Sequence, residues 1–146
     1  MAELSHIATC HVLAPADFSF LYLSDPIKLG RWSLGCFDTK AADETGLHTG
    51  LSLFDGGQGW YRIEADKTRL TIDFLVGAPD RLSRRISARI MPGDGLAYPD
   101  ASCLASLISW RPADMGDDRW ARLRASHEAE IWLIKAQIEA EYGRAQ

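Results

Sequence analysis

The most regular hydrophobic pattern in the sequence lies near its end, in and just before the stretch RASHEAEIWLIKAQI at residues 124–138. Large side chains recur there at intervals of three or four residues, at Trp120, Leu123, His127, Ile131, Ile134 and Ile138. This spacing places all six on one face of an α-helix. The helix is predicted to run from Asp117, a favourable N-cap, to Gly143, a favourable stop signal. One member of this apolar stripe, His127, is titratable.

The start of the chain predicts one strand followed by two short helices. The segment HIATCHVLAP, residues 6–15, is rich in β-branched and apolar residues and ends at a proline, which is typical of a strand. Pro15 suits the first position of a helix, and Pro26 tends to end one because it disfavours the α conformation of Asp25. The segment PIKLGRW, residues 26–32, predicts a second turn or two of helix.

After Gly35 the pattern changes to six β-type runs separated by turn residues. The runs are CFDTKAADE (36–44), LHTGLSLF (47–54), GWYRIEAD (59–66), RLTIDFLV (69–76), RRISARIM (84–91) and ASCLASLISW (101–110). We find no repeat, linker or low-complexity tract. The chain, residues 1–146, is therefore predicted to be a single α+β domain with the element order β-αα-β6-α.

One hairpin can be placed in register from the pattern alone. In residues 59–76 the apolar positions are odd-numbered before the turn and even-numbered after it, so the numbers of paired residues must sum to an odd value. A tight turn at Lys67 and Thr68 meets this condition and sets Arg62 opposite Asp73, as an exposed ion pair of low energy. The sheet then has one apolar side, which only the C-terminal helix is long enough to cover.

Composition and charge exclude several classes of protein. Sixteen Lys and Arg residues against twenty Asp and Glu give a net charge of −4, without the basic excess that nucleic-acid surfaces need. No apolar run approaches the roughly 18 residues of a membrane span, and the opening MAELSHIATCHVL lacks the pattern of an export signal. We therefore expect a cytoplasmic protein. Cys10, Cys36 and Cys103 are widely separated, which suits reduced thiols.

The stretch LAPADFSFLYLSDPIKLGRW, residues 13–32, resembles the START-like superfamily, also called SRPBCC or Bet v 1-like. The shared features are a strand ending in Ala-Pro, a short helix, a Ser-Asp-Pro step and a later tryptophan. The element order also agrees from about His6 to Tyr142, and this order carries the resemblance because no single motif is specific. The rival NTF2-like fold usually opens with its long helix, whereas here the long helix comes last.

The resemblance implies a helix-grip fold, in which a curved seven-stranded antiparallel sheet wraps around the C-terminal helix and leaves an internal apolar cavity. Members include polyketide cyclases, lipid-transfer proteins and plant hormone receptors. They bind lipids, sterols, polyketides or small aromatic molecules, and some catalyse cyclisation, hydrolysis or condensation without a cofactor. We therefore expect a small hydrophobic or aromatic ligand and no cofactor.

Three residues are candidates for chemistry in such a cavity. His127 is either a buried neutral imidazole bonded to a carbonyl or hydroxyl group, or a general acid or base that projects into the cavity. Tyr61, on the apolar side of the hairpin, either completes the core or carries a hydroxyl that stabilises an oxyanion. His48 shares the face of Tyr61 if the loop between their strands is even in length, whereas a bulge would turn it outward.

Apolar ligand contacts are expected from Trp32, Phe74, Trp110, Leu123 and Ile131. Trp132 lies well off the helical stripe, so we assign it to a sheet edge or to a contact between the subunits of a homodimer. The motif HIATCH has the H-x4-H spacing found beside the mononuclear iron of Rieske oxygenases. His6 and His11 would nevertheless point to opposite faces of a strand, so we expect no metal site.

Three classes of function remain open at this point. An enzyme would be a cofactor-independent lyase, cyclase or hydrolase in which His127 moves a proton and Tyr61 stabilises an oxyanion. A carrier or sensor would use the same residues only to orient a hydrophobic ligand. A chaperone cofactor, like relatives of the Aha1 type, would show an exposed apolar groove instead of an enclosed pocket.

Overall fold

The computed structural model describes residues 3–146 and contains seven strands in one sheet. The strands are β1 (Ser5–Val12), β2 (Phe37–Lys40), β3 (His48–Leu51), β4 (Gln58–Asp66), β5 (Thr71–Ala78), β6 (Arg81–Pro92) and β7 (Cys103–Trp110). Their order across the sheet is β1-β7-β6-β5-β4-β3-β2, and every neighbouring pair is antiparallel. The sheet is the seven-stranded antiparallel sheet that was predicted.

Three α-helices complete the predicted order: α1 (Ala16–Ser24), α2 (Pro26–Leu29) and α3 (Asp117–Ala145). Asp25 separates the first two in an extended conformation, and its carboxylate accepts hydrogen bonds from the first amides of α2. The predicted ends of α3 need correction. Gly116 is the N-cap, and Asp117 instead accepts a hydrogen bond from Arg111 at 2.6 Å. The helix also continues through Gly143, which weakens a helix but does not end it unless its φ turns positive.

The predicted register of the β4–β5 hairpin has the correct parity but is wrong by two residues. Glu64, not Arg62, lies opposite Asp73, because the strands are joined by a four-residue loop at 67–70. The hydrophobic pattern cannot detect this error, since a shift of two keeps every side chain on its face. The Arg62–Asp73 ion pair therefore does not form. Arg84 on β6 instead lies 2.6 Å from Glu64 and 3.6 Å from Asp73.

The apolar stripe of α3 faces the sheet as predicted. Trp120, His127 and Ile131 are buried along with the two later isoleucines of the stripe, and Leu123 is half-buried. Trp132 lies off the stripe and is 59% exposed. The stripe therefore forms a large part of the core.

Helix α3 packs most closely along β1, and polar contacts align the two elements. Lys135 donates a hydrogen bond to the His11 carbonyl at 2.6 Å, and the Leu13 amide donates one to Glu139 at 2.8 Å. These contacts hold the carboxy-terminal half of α3 against the edge of the sheet. Within residues 3–146, no helix combines the length and the apolar character that crossing a membrane requires.

We expect the packing of α3 to dominate the stability of the fold. Replacing Ile134, which is fully buried, with alanine should lower the free energy of unfolding by about 2–5 kcal/mol, because it leaves a cavity in the core. Trp132→Ala, a larger truncation on the exposed side of the same helix, should change it by less than about 0.5 kcal/mol. Urea denaturation measures both values, and similar losses in the two variants would contradict the packing described.

Candidate functional site

A cavity of about 350 Å³ lies between the amino-terminal half of α3 and strands β4 to β6. The segment between α2 and β2 and the loop between β3 and β4 close its sides. Its floor is formed by the buried residues Ser126, His127 and Glu130 of α3. Its mouth is ringed by exposed side chains, among them Phe54 and Arg122. The site is therefore a cleft with a buried polar floor.

Two ionisable side chains meet at the floor of the cavity. Glu130 is 3% exposed, and its Oε2 accepts a hydrogen bond from the Leu34 amide at 2.8 Å. Its second oxygen, Oε1, lies 3.8 Å from Nε2 of His127, which is too far for a hydrogen bond. Neither Glu130 Oε1 nor His127 Nδ1 has a hydrogen-bond partner among the described residues. Both atoms are therefore buried polar groups whose hydrogen-bonding capacity is unused within the described residues.

Burial shifts the pKa values of these two groups in opposite directions. It raises the pKa of Glu130 from the ordinary 4.5 to about 7, although the Leu34 amide and the Ser33 side chain act against the rise. Burial is also the main reason that the pKa of His127 is lowered from 6.5 to about 4, and the nearby positive groups of His6 and Arg85 contribute to this fall. At neutral pH the imidazole is therefore uncharged, while the carboxyl group is close to half ionised.

The spacing of apolar residues in α3 identified His127 as a candidate but did not identify its acidic neighbour, Glu130. The polar residues Arg119, Ser126 and Glu130 follow one another at intervals of seven and four residues, beside the apolar stripe. The same helical spacing therefore aligns them along one flank of α3, and this flank faces the cavity. A polar row adjoining an apolar stripe was the signal in the sequence that could have identified Glu130.

Arg85 reaches the cavity through a β-bulge. The ladder between β5 and β6 shifts register once, where Leu75 occupies the space opposite both Arg84 and Arg85. Since Ala88 and Ile90 are buried, strict alternation would turn Arg84 inward and Arg85 outward. The bulge reverses this order, so that Arg84 pairs with acidic groups on the outer face and Arg85 lines the cavity.

Tyr61 and His48 lie directly opposite each other on β4 and β3, on one face as expected for an even loop. Their rings stack with centroids 5.3 Å apart, but neither residue lines the cavity. The Tyr61 hydroxyl donates a hydrogen bond to the Pro26 carbonyl at 2.6 Å, and burial raises the pKa of Tyr61 to about 12. His48 Nδ1 lies 3.3 Å from the Lys40 carbonyl oxygen. The structure therefore does not bring this pair together with His127.

Among the five residues expected to contact a ligand, only Leu123 lines the cavity. Trp32 and Phe74 are buried and pack edge to face in the core, with ring centroids 5.8 Å apart. Ile131 is also a core residue, and Trp110 is 46% exposed at the end of β7. The cavity thus lies nearer the amino-terminal end of α3 than the sequence indicated.

The two histidines of the HIATCH motif have separate partners. His6 Nε2 lies 2.8 Å from Glu128 Oε1, and the His11 ring contacts the ring of Tyr98 with centroids 4.7 Å apart. In the part of the chain that the structure describes, no three His, Cys, Asp or Glu side chains are grouped as a metal site would require. Cys10, in the same strand, is a free thiol.

Comparison with known proteins gives matches at the level of structure. No model of a protein family matches the sequence, and no curated protein matches it. XoxI from Bacillus cereus superimposes with a TM-score of 0.69 at 12% identity, covering 93% of this chain and 96% of that one. The Zhui aromatase/cyclase from Streptomyces sp. R1128 gives 0.68 at 14% identity, with 92% and 93% covered.

A START superfamily protein from Mycobacterium smegmatis aligns over 99% of this chain and 100% of its own length, with a TM-score of 0.61 at 13% identity. Identities this low establish a shared fold and nothing finer. The superposition nevertheless extends over nearly the whole of this chain and of each of these structures. The chain therefore has the START-like, or SRPBCC-like, helix-grip fold that its order of elements predicted.

Proposed function

We propose that the cavity encloses a small, mainly apolar or aromatic molecule and that Glu130 transfers a proton to or from it without a cofactor. The observation that carries this proposal is a carboxyl group with a pKa raised to about 7 and an unpartnered oxygen in the cavity wall. A general base works best when its pKa lies near the working pH. Burial is the only influence that raises the pKa of Glu130 toward neutrality.

The walls of the cavity favour an apolar ligand of limited size. Val76 and Ile86 line the side formed by the sheet, Leu123 lines the helix side, and Trp60 and Phe54 add aromatic surface. A volume of about 350 Å³ lies near the lower end of the range for small-molecule sites, about 300–1,000 Å³. A compound of one or two rings fits this space.

We assign different roles to the two groups at the floor. With a pKa of about 4, His127 is a weak base at neutral pH, so the proton transfer first expected of it belongs to Glu130. A neutral imidazole remains a good hydrogen-bond donor to a developing oxyanion. His127 therefore orients and polarises a ligand oxygen, while Glu130 exchanges the proton.

The reaction best suited to this pair is removal of a proton from carbon beside a carbonyl group. Glu130 Oε1 takes the proton, the electrons of the C–H bond form the C=C bond of an enolate, and the charge moves to the carbonyl oxygen. His127 donates a hydrogen bond to that oxygen. Glu130 then returns the proton to carbon or delivers it to a departing hydroxyl group, which leaves as water. Enolisation of this kind begins many cyclisations and dehydrations, and the name of the Zhui aromatase/cyclase supports such chemistry in this fold.

Filling the cavity should abolish binding of an apolar probe. Ser126→Phe adds a ring at the cavity floor, whereas Ala129→Phe adds the same ring on the exposed side of α3. Fluorescence of N-phenyl-1-naphthylamine should rise with the wild type and with Ala129→Phe, but not with Ser126→Phe. Circular dichroism checks that both variants are folded. Equal binding by the two variants would place the probe outside the cavity.

Glu130 should control proton exchange at carbon. In D₂O the wild type should accelerate hydrogen exchange beside the carbonyl group of 2-tetralone, a two-ring ketone, as measured by mass spectrometry. Glu130→Gln should lower this rate by about 10²- to 10⁴-fold, the usual effect of a general base. His127→Ala should lower it by about 10²-fold through loss of the hydrogen bond to the oxyanion.

Glu44→Gln removes an exposed carboxylate and is the matched control, which should leave the exchange rate unchanged. Binding of the naphthylamine without accelerated exchange in the wild type would favour the carrier or sensor function over the enzyme.

The ionisation of Glu130 should also appear in the pH dependence of stability. Its pKa is higher in the folded protein, so the stability it contributes is present below pH 4.5 and is lost as the pH rises through about 7. Glutamine stays neutral at every pH. The free energy of unfolding of Glu130→Gln, measured relative to that of the wild type, should therefore rise by about 3 kcal/mol between about pH 5 and 8. The lowered pKa of His127 acts oppositely, with stability lost as the pH falls from 6.5 to about 4, and it cancels in this difference.

Urea unfolding of the two proteins at both pH values measures this gain, with Glu44→Gln again as the control. Parallel stability profiles for the wild type and Glu130→Gln would show that Glu130 titrates normally.

A further inference from the structure

Three arginines converge on the cavity without an acidic partner. Arg85 comes from β6, and Arg119 and Arg122 come from the first turns of α3. No residue in the described range 3–146 forms a salt bridge with any of the three. Salt bridges do engage five other arginines of this chain: Arg62, Arg69, Arg84, Arg111 and Arg124. Arg31, Arg81, Arg89 and Arg144 also form no salt bridge among the described residues, but none of these four lines the cavity.

The position of Arg85 is costly in the absence of an anion. One guanidinium nitrogen, the NH1 atom, is buried and has no hydrogen-bond partner among the described residues. Burial lowers the pKa of Arg85, and the like charge of Arg119 lowers it further. A partly buried, unpaired charge destabilises a fold, so the stability of this protein does not account for Arg85.

Arg119, in the first turn of α3, is also placed against local stability. The amino-terminal turns of a helix carry a partial positive charge, which favours acidic side chains and disfavours basic ones. Arg122 nevertheless lies over the Phe54 ring at the mouth, with its guanidinium carbon 5.0 Å from the ring centroid. This contact holds a cation beside the entrance.

The acidic groups of the cavity do not neutralise these cations. Asp55, at the mouth, is exposed and accepts a hydrogen bond from the Gly57 amide at 2.8 Å. Glu130, at the floor, is only partly ionised at neutral pH. The wall that holds Arg85 and Arg119 is therefore electropositive, while the rest of the cavity offers apolar surface.

We propose that the ligand of this cavity is an anion, an apolar or aromatic body that carries a carboxylate or similar oxyanion held by Arg85 and Arg119. The inference rests on the proposed function and names the class of substrate for the same site. Guanidinium groups bind carboxylates through paired, charge-assisted hydrogen bonds, which would satisfy the buried nitrogen of Arg85. The apolar body then lies against Val76 and Ile86, within the same cavity as Glu130.

A pair of dyes that differ only in charge tests the proposal. 8-Anilino-1-naphthalenesulfonate carries one sulfonate, and N-phenyl-1-naphthylamine is the same ring system without it. The wild type should bind the sulfonate at least about tenfold more tightly, with an affinity that falls as salt is added. Ser126→Phe should abolish binding of both dyes, which places them in the cavity.

Replacing single arginines with glutamine then tests which of them bind the sulfonate group. Arg85→Gln and Arg119→Gln should each weaken binding of the sulfonate by about 10- to 100-fold, the range expected for a lost charge-assisted hydrogen bond. Binding of the neutral dye should stay within about twofold, because its apolar contacts are unchanged. Arg89→Gln makes the same change of charge at an exposed position of β6 and should alter neither affinity. Arg119 is exposed, so its substitution tests the proposal even if Arg85→Gln fails to fold.

Equal affinity of the wild type for the two dyes would overturn the anion site and leave the proposed apolar enclosure standing. A loss in Arg89→Gln as large as that in Arg85→Gln would also overturn it, since the effect would then reflect net charge. Failure of both dyes to bind the wild type would overturn the enclosure itself, and the anion site with it.

Discussion

The packing of α3 along β1 is the contact on which the rest of the structure depends. The buried isoleucines of its carboxy-terminal half fill the space beneath the sheet, and the bonds from Lys135 to the His11 carbonyl and from the Leu13 amide to Glu139 set its alignment. With that half fixed, the amino-terminal half crosses strands β4 to β6 without filling the space beneath them. The cavity is therefore the space that the amino-terminal half of α3 leaves unfilled against these strands.

The low polarity of the cavity determines the protonation states of the ionisable side chains around it. Burial removes the charge from His127 and keeps a proton on Glu130 for part of the time, whereas Arg85 stays charged because its intrinsic pKa is so high. The proposed anionic ligand would supply the negative charge that the wall with Arg85 and Arg119 lacks. The arginines would then limit the repulsion between the ligand and ionised Glu130, so that recognition and proton transfer depend on the same groups.

Much of this architecture could be predicted from the sequence because it follows from periodicity. The helical stripe, the order of elements and the faces of the β4–β5 hairpin all come from spacings of three, four or two residues. Periodicity does not fix position along a strand, so it placed Tyr61 on the correct face, left the face of His48 open, and could not show that both lie away from the cavity. Periodicity also could not distinguish the observed register of the β4–β5 hairpin from one that is shifted by two residues.

The two residues most important to the proposals escaped prediction for physical reasons. Glutamate is rarely buried, so nothing in the composition of α3 singled out Glu130 as a residue of the cavity. Arg85 depends on the bulge at Leu75, which inserts one extra residue and exchanges the faces of Arg84 and Arg85. The pattern of hydrophobic and polar residues in β6 does not reveal such a one-residue shift, because both residues at the bulge are arginines.

The histidine within the apolar stripe marks the boundary between two environments. On its carboxy-terminal side the stripe continues through Ile131 and Ile134 into solid core, and on the other side it reaches Leu123 and the cavity. A neutral imidazole suits such a boundary, because most of its ring is apolar and only its nitrogen atoms need partners. Nδ1 of His127 has no such partner among the described residues, and the ligand oxygen of the proposed function would supply one.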